Sequence, residues 1–213
     1  MTLTQLREEV NSYSPNTDGE YHDKMMHTIP DTECADRVQF ILSKCMDKVV
    51  LDIGCLGPLH SDIEKVAKEV WGIDRVDSTQ KNYWKVDVEK NQNFLSLTTE
   101  KGFDLIICGE ILEHLSNPGL FLENLKKFDG PIIITVPNAF ANAHPLWLRK
   151  GIENVNSEHV AFYSYTTFKT LISRYNYKIE EFYWAGEPHF FSEGLIFVIK
   201  QMKQGGTNGR VKA

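Results

Sequence analysis

The chain has 213 residues, 42% of them hydrophobic and 24% charged, with a formal net charge of −6, an ordinary composition for one globular domain with a sizeable core. That balance argues against a large nucleic-acid footprint, which needs clustered Lys and Arg, although a small pair such as Arg149 and Lys150 is compatible with it. No stretch reaches the apolar length of a membrane span, and the N-terminal MTLTQLREEVNSYS lacks the basic-then-apolar layout of a signal peptide. Cys34, Cys45, Cys55 and Cys108 show no paired spacing, so the reading is a cytoplasmic protein with reduced thiols.

Residues 1–30 are polar and irregular, with a short helix predicted over 4–11. Asp31, after Pro30, is placed to cap a helix running to about Lys44. Strands and helices then alternate. The apolar run VVLDI (49–53) ends in Gly54 and reads as a buried parallel strand. A helix is predicted over 58–70, and strands over 71–74, 83–86 and 104–108. Pro118 suits the first turn of a helix reaching Phe128, and IIITV (132–136) forms the next strand. An irregular segment extends to about Val160. A helix over 165–175 and β-rich runs over 177–184 and 194–200 follow, before a disordered tail over 201–213.

This alternation predicts an α/β chain with a mostly parallel sheet and helices on both faces. Ligands in such sheets bind beyond the carboxyl ends of the strands. That rule selects the loop Gly54–Gly57, then Asp74, Asp87 and Gly109–Glu110. A glycine just after a strand lets the backbone approach a ligand. Asp74 is placed to accept hydrogen bonds from ribose hydroxyls, and Asp87 with Val88 to read an adenine edge. Together they describe a pocket for an adenosine moiety. No GxxxxGK[ST] phosphate loop is present.

The ordered set VLDIGC, GID, DV, FDLIICGEILEHL, GPIIITVPN and EHVAFYS resembles the class I S-adenosylmethionine-dependent methyltransferases, from about Val49 to Lys200. It looks closest to the group that includes ubiquinone-pathway O-methyltransferases and enzymes modifying sugars and small metabolites. The resemblance implies a Rossmann-like, doubly wound seven-stranded sheet, mostly parallel with an antiparallel C-terminal hairpin strand. It implies an N-terminal lid or flexible segment over 1–30 and a methyltransferase domain over 31–200. Its cofactor is S-adenosyl-L-methionine. Asp52 would orient the loop and the methionine amino group, and Gly54 is the first loop glycine, with Cys55 and Gly57 beside it. Asp74 with Arg75 would meet the ribose, Asp87 and Val88 the adenine, and Gly109 and Glu110 the methionine and sulfonium. Glu110, His114 or His159 would orient or deprotonate an acceptor oxygen or nitrogen entering over 138–160 and covered by 12–30.

Two departures stand out. The family loop reads DxGCGxG, whereas Leu56 and Pro58 stand here where glycines are expected. Only a dozen residues separate Asp74 from Asp87, so the usual intervening helix is shortened or absent. On a helical turn Glu110, Glu113 and His114 would share one face, and with His159 they resemble the four-ligand metal set of small-RNA 3′-end 2′-O-methyltransferases. Similar LEH strings are common in metal-free class I enzymes, and the metal-free reading is favoured. Bland roles stand beside these: Asp74 and Asp87 as turn caps, and His159 as a cap on the helix that follows. Cys55 and Cys108 read as buried fillers, and Trp147, Phe162, Tyr163, Tyr183, Trp184 and Phe190 as core or lid packing. The leading expectation is methyl transfer to a small-molecule or sugar-type acceptor. The rivals are a metal-assisted RNA methyltransferase and a non-catalytic binding domain on the same fold, with a nucleotide-dependent oxidoreductase weaker still.

Overall fold

The computed structural model describes residues 27, 29–91, 93–97, 101–141, 143–187 and 189–202. The chain divides into two units, Met1–Asp31 and Thr32–Ala213. Every element below belongs to the second. The helix expected over 4–11 lies outside the described residues, as do nearly all of the lid segment and of the tail.

An eight-stranded sheet runs in the order β1-β7-β8-β6-β5-β2-β3-β4. Its strands are β1 (Cys34–Ala35), β2 (Val49–Ile53), β3 (Glu69–Asp74), β4 (Tyr83–Lys85), β5 (Leu105–Gly109), β6 (Ile132–Pro137), β7 (Tyr177–Ala185) and β8 (Gly194–Gln201). Strands β2 to β6 pair parallel, and β8 runs antiparallel to both β6 and β7. The central strands read VVLDI, LIICG and IIITVP and are buried nearly throughout, because helices cover both faces of a parallel sheet. One face packs on Ile41 and Cys45 of α1 (Arg37–Cys45) and Ile63 of α2 (Pro58–Val66). On the other, Phe121 of α3 (Pro118–Leu125) stacks on Phe94, and Phe168 of α5 (Tyr165–Arg174) stacks on Phe197, ring centroids 3.9 Å apart. The period of two is visible in β8: Ile196 and Val198 join the first cluster, and Phe197 between them turns to α5.

The eighth strand is β1, where a helix was expected. Its backbone pairs with Trp184 and Ala185 at the edge of β7. The helix therefore starts later, capped by Asp36, whose carboxylate accepts from Gln39 N at 2.8 Å, and not by Asp31. Helix α2 stops at Val66, short of residue 70, because Glu69 and Val70 pair with Val49 and Val50. No helix joins β3 to β4. The loop 75–82 spans that gap, and the Tyr83 hydroxyl closes on the carbonyl oxygens of Asp74 and Val76. The segment read as irregular up to Val160 holds one short helix, α4 (Ala143–Leu148), with no buried residue. Among the described residues no helix is long and apolar enough to cross a membrane.

Candidate cofactor and acceptor site

The carboxyl ends of β2, β3 and β5 open on one crevice. Gly54 follows β2 with φ +83, a conformation that L side chains rarely adopt, and a Cβ there would also press on the Ile111 side chain. Gly57 has an ordinary φ of −98 and open space around it, and Pro58 fills the first turn of α2. The altered loop thus turns without its missing glycines, and Leu56 is left on the cavity wall.

A cavity of about 350 Å³ is lined by Gly54, Leu56, Asp74, Arg75, Asp87, Val88, Glu110, Ile111, His114 and Glu158, among others. A second, of about 250 Å³, is lined by Arg37, Asp52, Gly54, Cys55, Gly57, His60, Gly109 and Glu110, among others. Gly54 and Glu110 line both, so the two meet at the end of β2. Every residue assigned to the cofactor from the sequence lines one or the other. The first has apolar walls (Ile53, Ile73, Val86) and acidic side chains at strand ends, which suits an adenosine. The second mixes one guanidinium with carboxylates, which suits an amino-acid zwitterion.

The carboxylates are held in place. Asp74 accepts from Val76 N at 3.2 Å. Asp87 accepts from Glu89 N at 3.1 Å and pairs with Lys90 at 3.0 Å. Burial alone would raise its carboxyl, but those hydrogen bonds from Lys90 and the Glu89 and Lys90 N–H groups hold it below the usual range. Asp87 therefore caps a turn and lines the cavity together. Arg75 reaches across to Glu158 at 3.3 Å. Asp52 is buried and accepts from His60 Nδ1 at 2.8 Å.

The segment after β5 does not form the helical face the spacing predicts. Glu110 sits at φ +56 and a 3-10 turn covers only Leu112–His114. Glu110 is turned to Thr135 Oγ1, 2.9 Å away, and to Arg37, 3.5 Å away. The expected four-ligand set is therefore three: ligand atoms of Glu113, His114 and His159 lie within 4.8 Å of one another, and Glu110 is outside the group. Glu113 is 1% exposed, and neither carboxylate oxygen has a hydrogen-bond partner. Burial, with Glu110 nearby, pushes its carboxyl up to about 8. His159 meets His114 edge-on at 4.6 Å, and burial followed by that neighbour lowers its pKa. His159 does not cap α5. Ser164 does, in a capping box with Thr167.

The segment 138–160, expected from the sequence to receive the acceptor, contributes Glu158 to the lining of the first cavity. Asn138 anchors it, donating to Ser192 O at 2.9 Å and Phe190 O at 3.2 Å, and Val160 N donates to Glu113 O at 2.8 Å. Between these anchors Phe140, Leu146, Trp147 and Leu148 are exposed, as is Phe162 just beyond, so Trp147 and Phe162 are not core. Tyr163, Trp184, Cys55 and Cys108 are buried as the sequence suggests. Sequence reasoning missed Arg37 and His60. Arg37 follows the Asp36 cap far upstream of the motifs. The nearest clue to His60 is Gly72, whose absent Cβ leaves room for the Cys55 thiol and the His60 ring.

An open crevice at the strand ends of this sheet, with its antiparallel β7–β8 hairpin, is the architecture of class I S-adenosylmethionine-dependent methyltransferases. A family model described as a methyltransferase domain matches residues 25–181, and the chain belongs to that family. The ubiquinone biosynthesis O-methyltransferase of Glaesserella parasuis is 34% identical over 116 residues, 46% of this chain and 49% of the relative. The chain thus spans about half the length of the relative it matches there. Among solved structures, the small RNA methyltransferase HEN1 superposes with a TM-score of 0.61 at 15% identity, covering 84% of this chain and 27% of that one. A SAM-dependent methyltransferase from Archaeoglobus fulgidus gives 0.57 at 13%, covering 77% and 94%. These structural likenesses speak to the fold.

Proposed function

We propose that the protein moves the methyl group of S-adenosylmethionine to an oxygen or nitrogen of a small-molecule or sugar-type acceptor. The observation that carries this is the pair of cavities meeting at Gly54 and Glu110, with the strand-end carboxylates along both. Asp74 and Asp87 serve the adenosine, and Asp52 and Arg37 the ammonium and carboxylate of the methionine. The reaction is an in-line displacement with a neutral thioether leaving, so alignment does most of the work. The acceptor lies between Glu110 and the 138–160 wall. His159 is the proton acceptor, because it packs edge-on against His114 of the cavity wall, and burial followed by that neighbour lowers its pKa and so favours the neutral ring. Glu110 is bound to Thr135 and Arg37 and positions rather than deprotonates. The relatives named as ubiquinone O-methyltransferases favour a small acceptor. So does the acidic rim of Asp74, Asp87, Glu89 and Glu158, which would repel RNA. Free thiols suit a reducing, cytoplasmic setting.

One observation favours a metal-assisted variant: the unpartnered, buried Glu113 carboxyl beside two imidazoles. Glu113, His114 and His159 would hold a divalent cation, and a cation there lowers the pKa of an acceptor hydroxyl. The test is a methylation assay on small phenol, amine and sugar acceptors, with and without chelator. Turnover of a small acceptor supports the proposal, and chelator sensitivity separates the two variants. Cofactor binding without turnover of any small acceptor counts against it.

A further inference from the structure

The second cavity contains a buried pair of ionisable side chains. Asp52 lies at the heart of β2 and His60 one turn into α2, and they are 4% and 2% exposed. The His60 Nδ1–H donates to Asp52 Oδ2 at 2.8 Å, and both residues line the cavity with Arg37 and Glu110. The other ring nitrogen, Nε2, is buried without a hydrogen-bond partner. The Asp52 carboxyl is thus held by a single side-chain donor and lines the cavity. The molecule has made room for the pair: a Cβ on Gly72 would crowd the His60 ring and collide with the Cys55 thiol.

We propose that His60 is a positioning residue that holds the Asp52 carboxylate for the cationic α-ammonium group of the cofactor, while Arg37 across the cavity takes its α-carboxylate. This rests on the cofactor reading above. A buried carboxylate facing an amino-acid ligand is useful only if it stays ionised and still. Burial, the largest influence, raises the Asp52 carboxyl above the usual carboxylate range, and the His60 hydrogen bond is the main influence pulling it back toward ionisation. The other ionisable groups around Asp52 are Cys45 and Arg37 of α1, Asp62 of α2, Cys55, Asp74, Cys108 and Glu110.

The experiment is calorimetric titration of the full chain with S-adenosylhomocysteine and with 5′-methylthioadenosine, which keeps the adenosyl thioether and lacks the amino-acid part. Wild type is expected to prefer S-adenosylhomocysteine. His60→Leu is expected to weaken it by about tenfold, the scale of one charge-assisted hydrogen bond, and leave 5′-methylthioadenosine within about twofold. His60→Asn, which can donate from near the Nδ1 position, is expected to keep the preference, and His60→Gln to lose it. Removing the donor also raises the proton affinity of Asp52, so any preference that His60→Gln recovers is confined to a higher pH than wild type needs. The inference is overturned if both ligands weaken alike, if neither changes, or if Asn and Gln behave the same. Wild type binding 5′-methylthioadenosine without preferring S-adenosylhomocysteine overturns it while the adenosyl pocket stands. Wild type binding neither overturns both.

Discussion

The strand-end crevice and the proposed acceptor segment are built on opposite principles. The cofactor half stands on the ends of β2, β3 and β5. Its groups are buried or hydrogen-bonded to the backbone: Gly54 held by Ile73 O, Asp74 by Val76 N, Asp52 by His60. The proposed acceptor half is a loop and a short helix pinned at Asn138 and Val160, with its large apolar side chains in solvent between. A ligand common to a whole class of enzymes is met by rigid sheet ends. A ligand particular to one enzyme is met by a segment that can change without touching the sheet. If that division is real, variants in one half leave the other half's measurement unmoved.

The largest separation is expected from His159→Ala. Loss of the proposed proton acceptor is expected to lower the single-turnover rate about a hundredfold, with the cofactor Kd unchanged. A parallel loss of cofactor affinity would break the division.

Glu113 sharpens it through stability. Its carboxyl is raised to about 8 in the folded chain, against 4.5 for an ordinary glutamate. The folded state therefore holds a proton that the unfolded state releases. Stability on this account is full below about pH 4.5 and is lost as pH rises to about 8. Glu113→Gln is expected to match wild type in acid and to exceed it at pH 8 by on the order of 2 kcal/mol in denaturant unfolding. Divalent cation that stabilises wild type and not the variant would assign the metal-assisted reading.

Asp74→Ala is expected to weaken S-adenosylmethionine by about tenfold in calorimetry, the scale of a charge-assisted hydrogen bond, and to leave thermal stability nearly intact. The smallest effect belongs to α4. Leu146→Ser removes an exposed side chain, so its unfolding free energy stays within about 0.5 kcal/mol of wild type and cofactor affinity does not move. A change in acceptor KM alone is the result that fits the division.

How legible each half was follows from the same contrast. The strands could be read because buried parallel strands are continuous apolar runs, and the placing of Asp74 and Asp87 on one cavity because they stand at the strand ends. Local choices decided by tertiary pairing could not. Asp31 and Asp36 are equally good caps by composition, and pairing of Cys34–Ala35 with β7 selects the second. The periodicity of Glu110, Glu113 and His114 suggests one helical face, but a left-handed Glu110 sends its side chain to Thr135 and Arg37 instead. Arg37 and His60 carry no motif of their own, since each matters only through a partner that the folded sheet brings near.

The central claim is that the crevice holds S-adenosylmethionine. Isothermal titration of the folded wild-type chain measures it directly. One saturable site, weakened in Asp74→Ala and unchanged in His159→Ala, is the expected result. No binding heat at millimolar cofactor, from a chain that melts cooperatively, would contradict the account.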